Sequence, residues 1–155
     1  MPKSEERKVF AFNRAASHNY FLFDKYEAGL ALRGTEVKSI REGRANLKDS
    51  YAQVKNNEVW LMNCHISPYS FGNRQNHDPL RPRKLLLHKM EIRRLIGKTV
   101  ERGFTLIPLQ LFAQRGRIKC EVALAKGKHT HDKRESIRKK ETDREARAAM
   151  RSGRK

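Results

Sequence analysis

The segment from Glu27 to Arg41, EAGLALRGTEVKSIR, changes its hydrophobic period at Gly34, and this change limits what the chain can fold into. Before the glycine, apolar and polar residues alternate, so that Ala28, Leu30 and Leu32 share one side. This period of two is typical of a half-buried β-strand. The sequence therefore predicts a strand that continues to Arg33 and ends at Gly34.

Beyond that glycine the pattern becomes helical. Val37 and Ile40 lie three residues apart, Lys38 and Arg41 do the same, and Gly43 follows them. This spacing predicts one short helix with an apolar stripe and a basic stripe, and the glycine is a typical helix stop.

A strand joined to a basic helix allows two interpretations of its charged residues. Glu27, Glu36, Lys38 and Arg41 could form one small polar surface that binds a ligand. They could equally be a solvated strand edge and helix face, which is the ordinary role of such charges.

The composition favours a polyanionic partner. The 155 residues include 35 Lys and Arg against 17 Asp and Glu, a formal net charge of +18. Nucleic acid is the first candidate, because phosphate neutralisation releases counterions, and an anionic membrane surface is the second. No apolar run exceeds four residues, no secretory leader is visible, and two cysteines make no disulfide framework. We therefore expect no membrane span and a reduced, cytoplasmic setting.

Charge and core residues divide the chain unevenly. We predict a basic N-terminal extension over 1–12, a barrel over 13–128 and a basic tail over 129–155. Residues 126–155 hold 12 Lys and Arg against 5 Asp and Glu. The stretch from His131 to Met150 is rich in helix-forming residues but has no continuous apolar face. We expect this tail to be disordered alone and helical when bound.

The body is predicted to be mainly β, a small antiparallel barrel. One long strand joins His18–Phe23 to Glu27–Arg33, with a bulge near Asp24 and Lys25. A hairpin pairs Ser50–Lys55 with Glu58–Asn63 around an Asn-Asn turn.

A second hairpin pairs Phe104–Ala113 with Arg117–Ala125, and Pro108 within it indicates an edge or a bulge. Met90–Val100 has helical periodicity. The proline-containing segment Ser67–Arg83 is predicted to be a loop.

Several side chains are assigned to the core or to no chemistry. We predict Phe21, Phe23 and Trp60 to be core residues, with Leu86 and Leu87 at the barrel mouth. Exposed aromatic rings would instead suggest base stacking.

Cys64-His65 and Cys120 with His129 and His131 match no closed zinc spacing. Buried thiols and surface histidines are the expected alternative. No phosphate-binding loop or catalytic motif is present, so we expect no metal, no cofactor and no enzyme activity.

Ordered sequence blocks then point to one family. Beside the opening segment stand NRAASHNYF (13–21), DSYA (49–52), HISPY (65–69), DPLRPRKLLL (78–87) and AKGKHTHDKR (125–134). In this order the blocks closely resemble the small protein B (SsrA-binding protein) family, which partners tmRNA in bacterial trans-translation. The resemblance implies an OB-like barrel with about three flanking helices.

The resemblance also implies which residues hold RNA. The partner would be the tRNA-like domain of tmRNA, near its elbow and D-loop. The implied contacts are Asn13, Glu27, Ala28, Gly29, Glu36, Val37, Lys38, Ser39, Arg41 and Lys119, with Lys126, Gly127 and Lys128 at the root of the tail.

For the tail, the resemblance implies entry into the decoding centre and vacant mRNA channel of the small ribosomal subunit. His131 would stack on a decoding-centre base, and Lys133 and Arg134 would neutralise ribosomal RNA phosphates. The remaining implied tail contacts are Asp132, Ile137, Arg138 and Met150. Ala149 departs from the larger apolar residue of many relatives, so the resemblance implies no docking role for it.

We therefore expect a non-catalytic, monomeric adaptor. It would deliver tmRNA to stalled ribosomes together with the GTP-bound elongation factor that carries aminoacyl-tRNA. Two other classes stay open: a general ribosome-associated or initiation-factor-like OB protein, and a basic protein that compacts DNA.

Overall fold

The computed structural model describes residues 7–71 and 76–128. The elements in chain order are β1 Lys8–Phe12, α1 Ala16–Asn19, β2 Tyr20–Leu30, α2 Gly34–Arg41, β3 Ala45–Asn46, β4 Tyr51–Lys55, β5 Glu58–Met62, β6 His65–Ile66, β7 Arg83–Leu86, α3 Lys89–Ile96, a π-helical turn Gly97–Glu101, β8 Thr105–Gln114 and β9 Arg117–Gly127. The predicted tail, 129–155, lies outside the described residues. No helix among those described is long and apolar enough to cross a bilayer.

Six strands close into an antiparallel barrel. Neighbours run in the order β8, β4, β5, β7, β2, β9, and pairing of β9 with β8 completes the ring. β1 adds to the other edge of β8, beside β4, and β3 with β6 forms a separate two-stranded ladder. The predicted small, mainly β barrel with about three flanking helices is confirmed. β1 belongs to the sheet, so the sheet begins before residue 13, within the segment predicted as an extension.

Both predicted hairpins form, and local backbone geometry explains why. Asn56 and Asn57 have φ of 52° and 59°, as a two-residue type I′ turn between β4 and β5 requires. Arg115 and Gly116, at 54° and 71°, make the tight turn between β8 and β9. Two of these four positions are Asn and one is Gly, the residues that best tolerate positive φ.

The predicted bulges are also present. The pairing of β2 with β9 shifts register between Leu22 and Lys25. The pairing of β8 with β9 shifts between Pro108 and Gln110, where a proline cannot donate a ladder hydrogen bond. β2 ends at Leu30, three residues earlier than predicted.

Helix α2 begins at Gly34 and ends shortly before Gly43, as the sequence pattern predicted. At its start, the Glu36 carboxylate accepts a hydrogen bond from the Arg33 N–H at 2.8 Å. At its end, Gly43 has φ of 76° and donates to Ile40, while the Arg44 N–H donates to the Ser39 carbonyl at 3.0 Å. These two bonds make the Schellman arrangement that terminates a helix.

α3 is shorter than predicted. It ends at Ile96 and continues as the π-helical turn, so the predicted helix to Val100 is not regular. Leu95 is fully buried, whereas Arg93 and Arg94 are exposed on the opposite side.

Two hydrophobic clusters hold the barrel. The larger fills the interior and includes Leu61, Leu85, Leu111 and Val122. The smaller lies outside the ring, where α1 packs Ala16 against β8 and β9. Because β2 contributes to both clusters, both of its sides are partly covered.

Several core predictions are wrong. Phe21, Phe23 and Leu86 are 42%, 48% and 49% exposed, and Trp60 is half-buried. At the start of β2, Leu22 contacts the smaller cluster outside the ring. Phe21 and Phe23 alternate with it on the other side of the strand, where about half of each side chain stays exposed. Leu87 does pack against the main core, although it is only partly buried.

Candidate nucleic-acid interface

A groove of about 630 Å³ opens at one end of the barrel. It lies between the end of β2, helix α2, the start of α3 and the turn from β8 to β9. The residues that line it are Glu27, Gly29, Leu30, Leu32, Val37, Arg41, Leu86, Leu87, His88, Glu91, Gly116, Arg117, Ile118 and Lys119.

Five of the predicted RNA contacts meet in this groove: Glu27, Gly29, Val37, Arg41 and Lys119. Strand pairing places Gly29 opposite Lys119, although 90 positions separate them in sequence. Val37 and Arg41 are four residues apart and so lie on one face of α2. The Arg41 guanidinium donates to the Gly116 carbonyl at 3.2 Å, which ties the helix to the hairpin turn.

Gly29 makes room for a leucine on the neighbouring strand. A Cβ at position 29 would lie 3.3 Å from the Cβ of Leu86, its cross-strand partner. Because Gly29 has no side chain, the half-exposed Leu86 of β7 can lie at the groove. The prediction of Leu86 as a core residue at the barrel mouth is therefore wrong. Arg117, His88 and Glu91 also line the groove, although no sequence pattern predicts them there.

Glu27 does not stand alone at the groove edge. Its carboxylate pairs with Arg7, whose guanidinium also contacts Glu121 at 3.2 Å. The same guanidinium lies over the Phe112 ring at 4.4 Å. Arg7 lies in the segment predicted as an extension, and no local sequence pattern predicts this contact.

Glu36 is fully buried and faces away from the groove. Its two carboxylate oxygens accept hydrogen bonds from Arg83 and Arg81, each at 2.5 Å, and it also accepts the Arg33 N–H bond. Burial raises the pKa of this carboxyl, but the hydrogen bonds from Arg81, Arg33 and Arg83 outweigh burial and the net pKa is lowered. Glu36 therefore anchors α2 and has no surface for RNA.

Arg83 connects this buried network to the backbone of two neighbouring segments. Its guanidinium is fully buried and donates to the Cys64 carbonyl and, at 3.1 Å, to the Pro79 carbonyl. A buried His77 adds a second link, since its ring contacts Thr35 at 2.8 Å and the Ile66 carbonyl at 2.9 Å. Neither residue was singled out from the sequence, because nothing local marks a buried Arg or His.

The other predicted contacts lie apart from the groove. Ala28 and Ser39 are buried, so their side chains do not reach its surface. Lys38 is exposed and lies over the Tyr69 ring at 5.4 Å. Asn13 is half-buried, and its amide donates to the Pro108 carbonyl at 2.9 Å.

The predicted tail root lies at the opposite end of β9. The Lys128 N–H donates to the Asn19 carbonyl at 2.8 Å, which fixes the chain where the tail leaves. Lys126 and Gly127 pair with the start of β2. The predicted tail contacts, His131, Asp132, Lys133, Arg134, Ile137, Arg138 and Met150, lie outside the described residues.

The two cysteines are buried free thiols, as predicted. Burial raises the pKa of Cys64 to about 11 and raises that of Cys120 as well. No group of three potential metal ligands was found in residues 7–71 and 76–128.

The chain is similar to proteins of one family along almost its whole length. A family model described as SmpB protein matches residues 10–152. The SsrA-binding protein of Desulforudis audaxviator (strain MP104C) is 60% identical over 146 residues, covering 94% of this chain and 95% of that relative. The SsrA-binding protein of Geobacillus thermodenitrificans (strain NG80-2) is 57% identical over 155 residues, covering 100% and 99%.

A solved structure extends the similarity to three dimensions. A chain from the structure described as "tmRNA-SmpB: a journey to the center of the bacterial ribosome" is 46% identical, with a TM-score of 0.65, and the match covers 82% of this chain and 93% of that one. Because the family model and the relatives match nearly the whole sequence, the chain belongs to the SmpB protein family.

Proposed function

We propose that this protein is a non-catalytic RNA-binding adaptor of trans-translation. It binds the tRNA-like domain of tmRNA through the groove and delivers it to the A site of stalled ribosomes. The names of the relatives and of the solved complex support this function. The protein acts as a monomer, together with the GTP-bound elongation factor.

The observation that carries the proposal is the grouping of Glu27, Gly29, Val37, Arg41 and Lys119 in one groove. These residues come from two distant parts of the sequence, and each matches a position that the family resemblance implies for tmRNA binding.

The chemistry of the groove suits folded RNA. Arg41, Arg117 and Lys119 are cations that can take backbone phosphates. Leu86 offers an apolar surface for an unpaired loop base, and recognition of folded RNA combines such contacts with backbone shape. Glu27 supplies a hydrogen-bond acceptor to the groove, since a carboxylate can accept hydrogen bonds from base amino groups.

The two buried members of the predicted set have a different role. Ala28 packs β2 into the core, and Glu36 fixes α2 through its two arginines. Both residues fix the positions of β2 and α2, which form two walls of the groove, and neither contacts RNA. Ser39 is buried on the same helix.

The tail acts on the ribosome and not on tmRNA. His131 stacks in the decoding centre, and the basic residues after it follow the empty mRNA channel. The high charge of 126–155 supports this part of the proposal.

The test is a titration of the full chain against the tRNA-like domain, with ordinary tRNA as competitor, at several salt concentrations. An Arg41→Ala, Lys119→Ala double variant removes two groove cations. A Lys48→Ala, Lys55→Ala double variant removes two exposed cations elsewhere and is the control of equal charge.

We expect the groove variant to lose tRNA-like-domain binding and to lower the salt slope by about two, one for each phosphate contact. The control should keep its preference for that domain over tRNA. Equal losses in the two variants would overturn the proposal and favour a general ribosome-associated or DNA-compacting protein.

A further inference from the structure

Two exposed aromatic rings, Phe21 and Phe23, lie at the start of β2, far from the groove, and a third ring, the half-buried Phe104, lies beside them. Phe21 and Phe23 are two residues apart on the solvent side of the strand. Phe23 meets Phe104 edge-on, with ring centroids 5.0 Å apart and an interplanar angle of 90°. The hydrophobic core leaves about half of the Phe21 and Phe23 surface open, so packing alone does not explain these rings.

Three lysines lie against the same rings. The Lys126 ammonium is 4.6 Å from the Phe104 centroid and that of Lys98 is 5.9 Å from it. The Lys128 ammonium is 5.0 Å from the Phe21 centroid. We define the aromatic–lysine patch as these six residues, Phe21, Phe23, Phe104, Lys98, Lys126 and Lys128.

The patch and the groove occupy opposite ends of one two-stranded ribbon. In the pairing of β2 with β9, Phe21 stands opposite Lys126, whereas Gly29 stands opposite Lys119. Eight residues of strand separate the two positions, which corresponds to about 26 Å at 3.3 Å per residue. An RNA helix end that fills the groove therefore does not cover the patch.

The combination of groups selects the ligand. The exposed parts of the Phe21 and Phe23 rings can stack on flat groups, and the three nearby ammonium groups favour negative charge next to those groups. An unpaired stretch of RNA supplies both, because its bases stack on rings and its phosphates pair with lysines. Double-stranded RNA hides its base faces and would use the lysines alone.

We propose that the aromatic–lysine patch is a second RNA site, which binds a single-stranded segment. One or two bases stack on Phe21 and Phe23, and Lys126 and Lys128 hold the phosphates beside them. The inference rests on the proposed function only in taking RNA as the ligand. The site lies at the end of β9, next to the residues at which the predicted tail begins.

The experiment uses the full chain with Phe21→Leu and Phe23→Leu combined. Leucine keeps an apolar side chain at these exposed positions and removes the flat ring. Phe71→Leu is the matched control, because Phe71 is 77% exposed on a distant loop. Thermal unfolding followed by circular dichroism checks that all variants remain folded.

Two probes distinguish base stacking from attraction between phosphates and lysines. One is an oligoadenylate of about ten nucleotides, a length within the range that small RNA-binding barrels cover. The other is an abasic oligomer of the same length, which has the phosphates but no bases. We expect the double variant to bind the oligoadenylate at least about fivefold more weakly, since stacking contributes about 1 kcal/mol or more per base. Its affinity for the abasic oligomer and its salt slope should not change. The control should match the parent with both probes.

Either of two results would overturn the inference: unchanged oligoadenylate affinity, or an equal loss with both probes. Binding of the tRNA-like domain is measured in parallel, and we expect the double variant to retain it. If the groove variant loses that domain while the phenylalanine variant loses nothing, the proposed function stands and the second site is excluded. If the groove variant still binds the tRNA-like domain and the phenylalanine variant still binds the oligoadenylate, both the proposed function and the second site are refuted.

Discussion

Glu36 offers the sharpest test of how this fold is held together, because its charge is fully buried between two arginines. Glu36→Gln keeps the shape of the side chain and removes the charge. Arg83, itself fully buried, then retains a positive charge with no counter-charge on Glu36. Removal of one partner from a buried ion pair costs about 3–5 kcal/mol.

The assay is urea unfolding followed by circular dichroism. For a domain with an m value near 2 kcal/mol/M, that cost lowers the midpoint by about 1.5–2.5 M. In a thermal scan it corresponds to a fall of roughly 6–20 °C. The control is Glu42→Gln, which breaks an exposed pair with Arg44 at 3.5 Å and should cost less than about 1 kcal/mol.

The pH dependence adds a readout that a simple packing defect would not change. The folded pKa of Glu36 lies below its ordinary value of 4.5, so the ionised carboxylate contributes stability above that pH. This contribution is lost as the pH falls through the lower folded pKa. The difference in unfolding free energy between parent and variant should therefore be constant above about pH 5 and narrow below pH 4.5.

Two outcomes would refute this account of Glu36. One is a loss no larger than that of the Glu42 control. The other is a difference from the parent that stays constant down to pH 3. Either result would mean that the carboxylate is neutral or exposed in solution, and that α2 is held by its apolar contacts alone.

Three further predictions concern the groove, the thiols and the tail. Glu27→Arg should weaken specific binding of the tRNA-like domain while raising general affinity for nucleic acid; tighter binding of every RNA, with the preference for that domain over tRNA intact, would exclude Glu27 from the site. Cys64 and Cys120 should resist alkylation at pH 8 until the chain is unfolded, because burial keeps both thiols protonated; rapid labelling of the native protein would contradict this. His131→Ala should leave the affinity for the tRNA-like domain unchanged and lower peptide tagging on stalled ribosomes; equal loss of both would refute the separation of barrel and tail.

The hairpins could be predicted from sequence because their causes are local. Asn56 and Asn57 adopt positive φ readily, and Gly116 does the same, so each turn is specified by the residues within it. The bulge at Pro108 follows from a missing N–H. The groove was only partly predictable, since five residues implied by the resemblance line it, whereas Leu86 beside them was predicted to be a core residue and is half-exposed.

The missed features all depend on contacts between distant parts of the chain. Glu36 meets Arg81 and Arg83 across 45 and 47 positions, and nothing in its local pattern indicates burial. Periodicity showed that Phe21 and Phe23 share a side of β2, but not which side faces the core. Both sides of that strand are apolar at this point, so the choice depends on where α1 packs.

The position of Glu27 explains how a carboxylate is tolerated in a basic groove. Glu27 and Glu121 stand directly opposite each other on β2 and β9, an arrangement that is destabilising for like charges. Arg7 contacts both carboxylates while it covers the Phe112 ring, so it offsets the repulsion between them. The same positive charge reduces the negative electrostatic potential that the two carboxylates would present to a phosphate group. In Glu27→Arg this neutralisation is reversed: Arg7 loses a partner, a second cation enters, and the proposed hydrogen-bond acceptor for base amino groups disappears. The same substitution must therefore strengthen non-specific attraction and weaken discrimination, which is why the two quantities have to be measured separately.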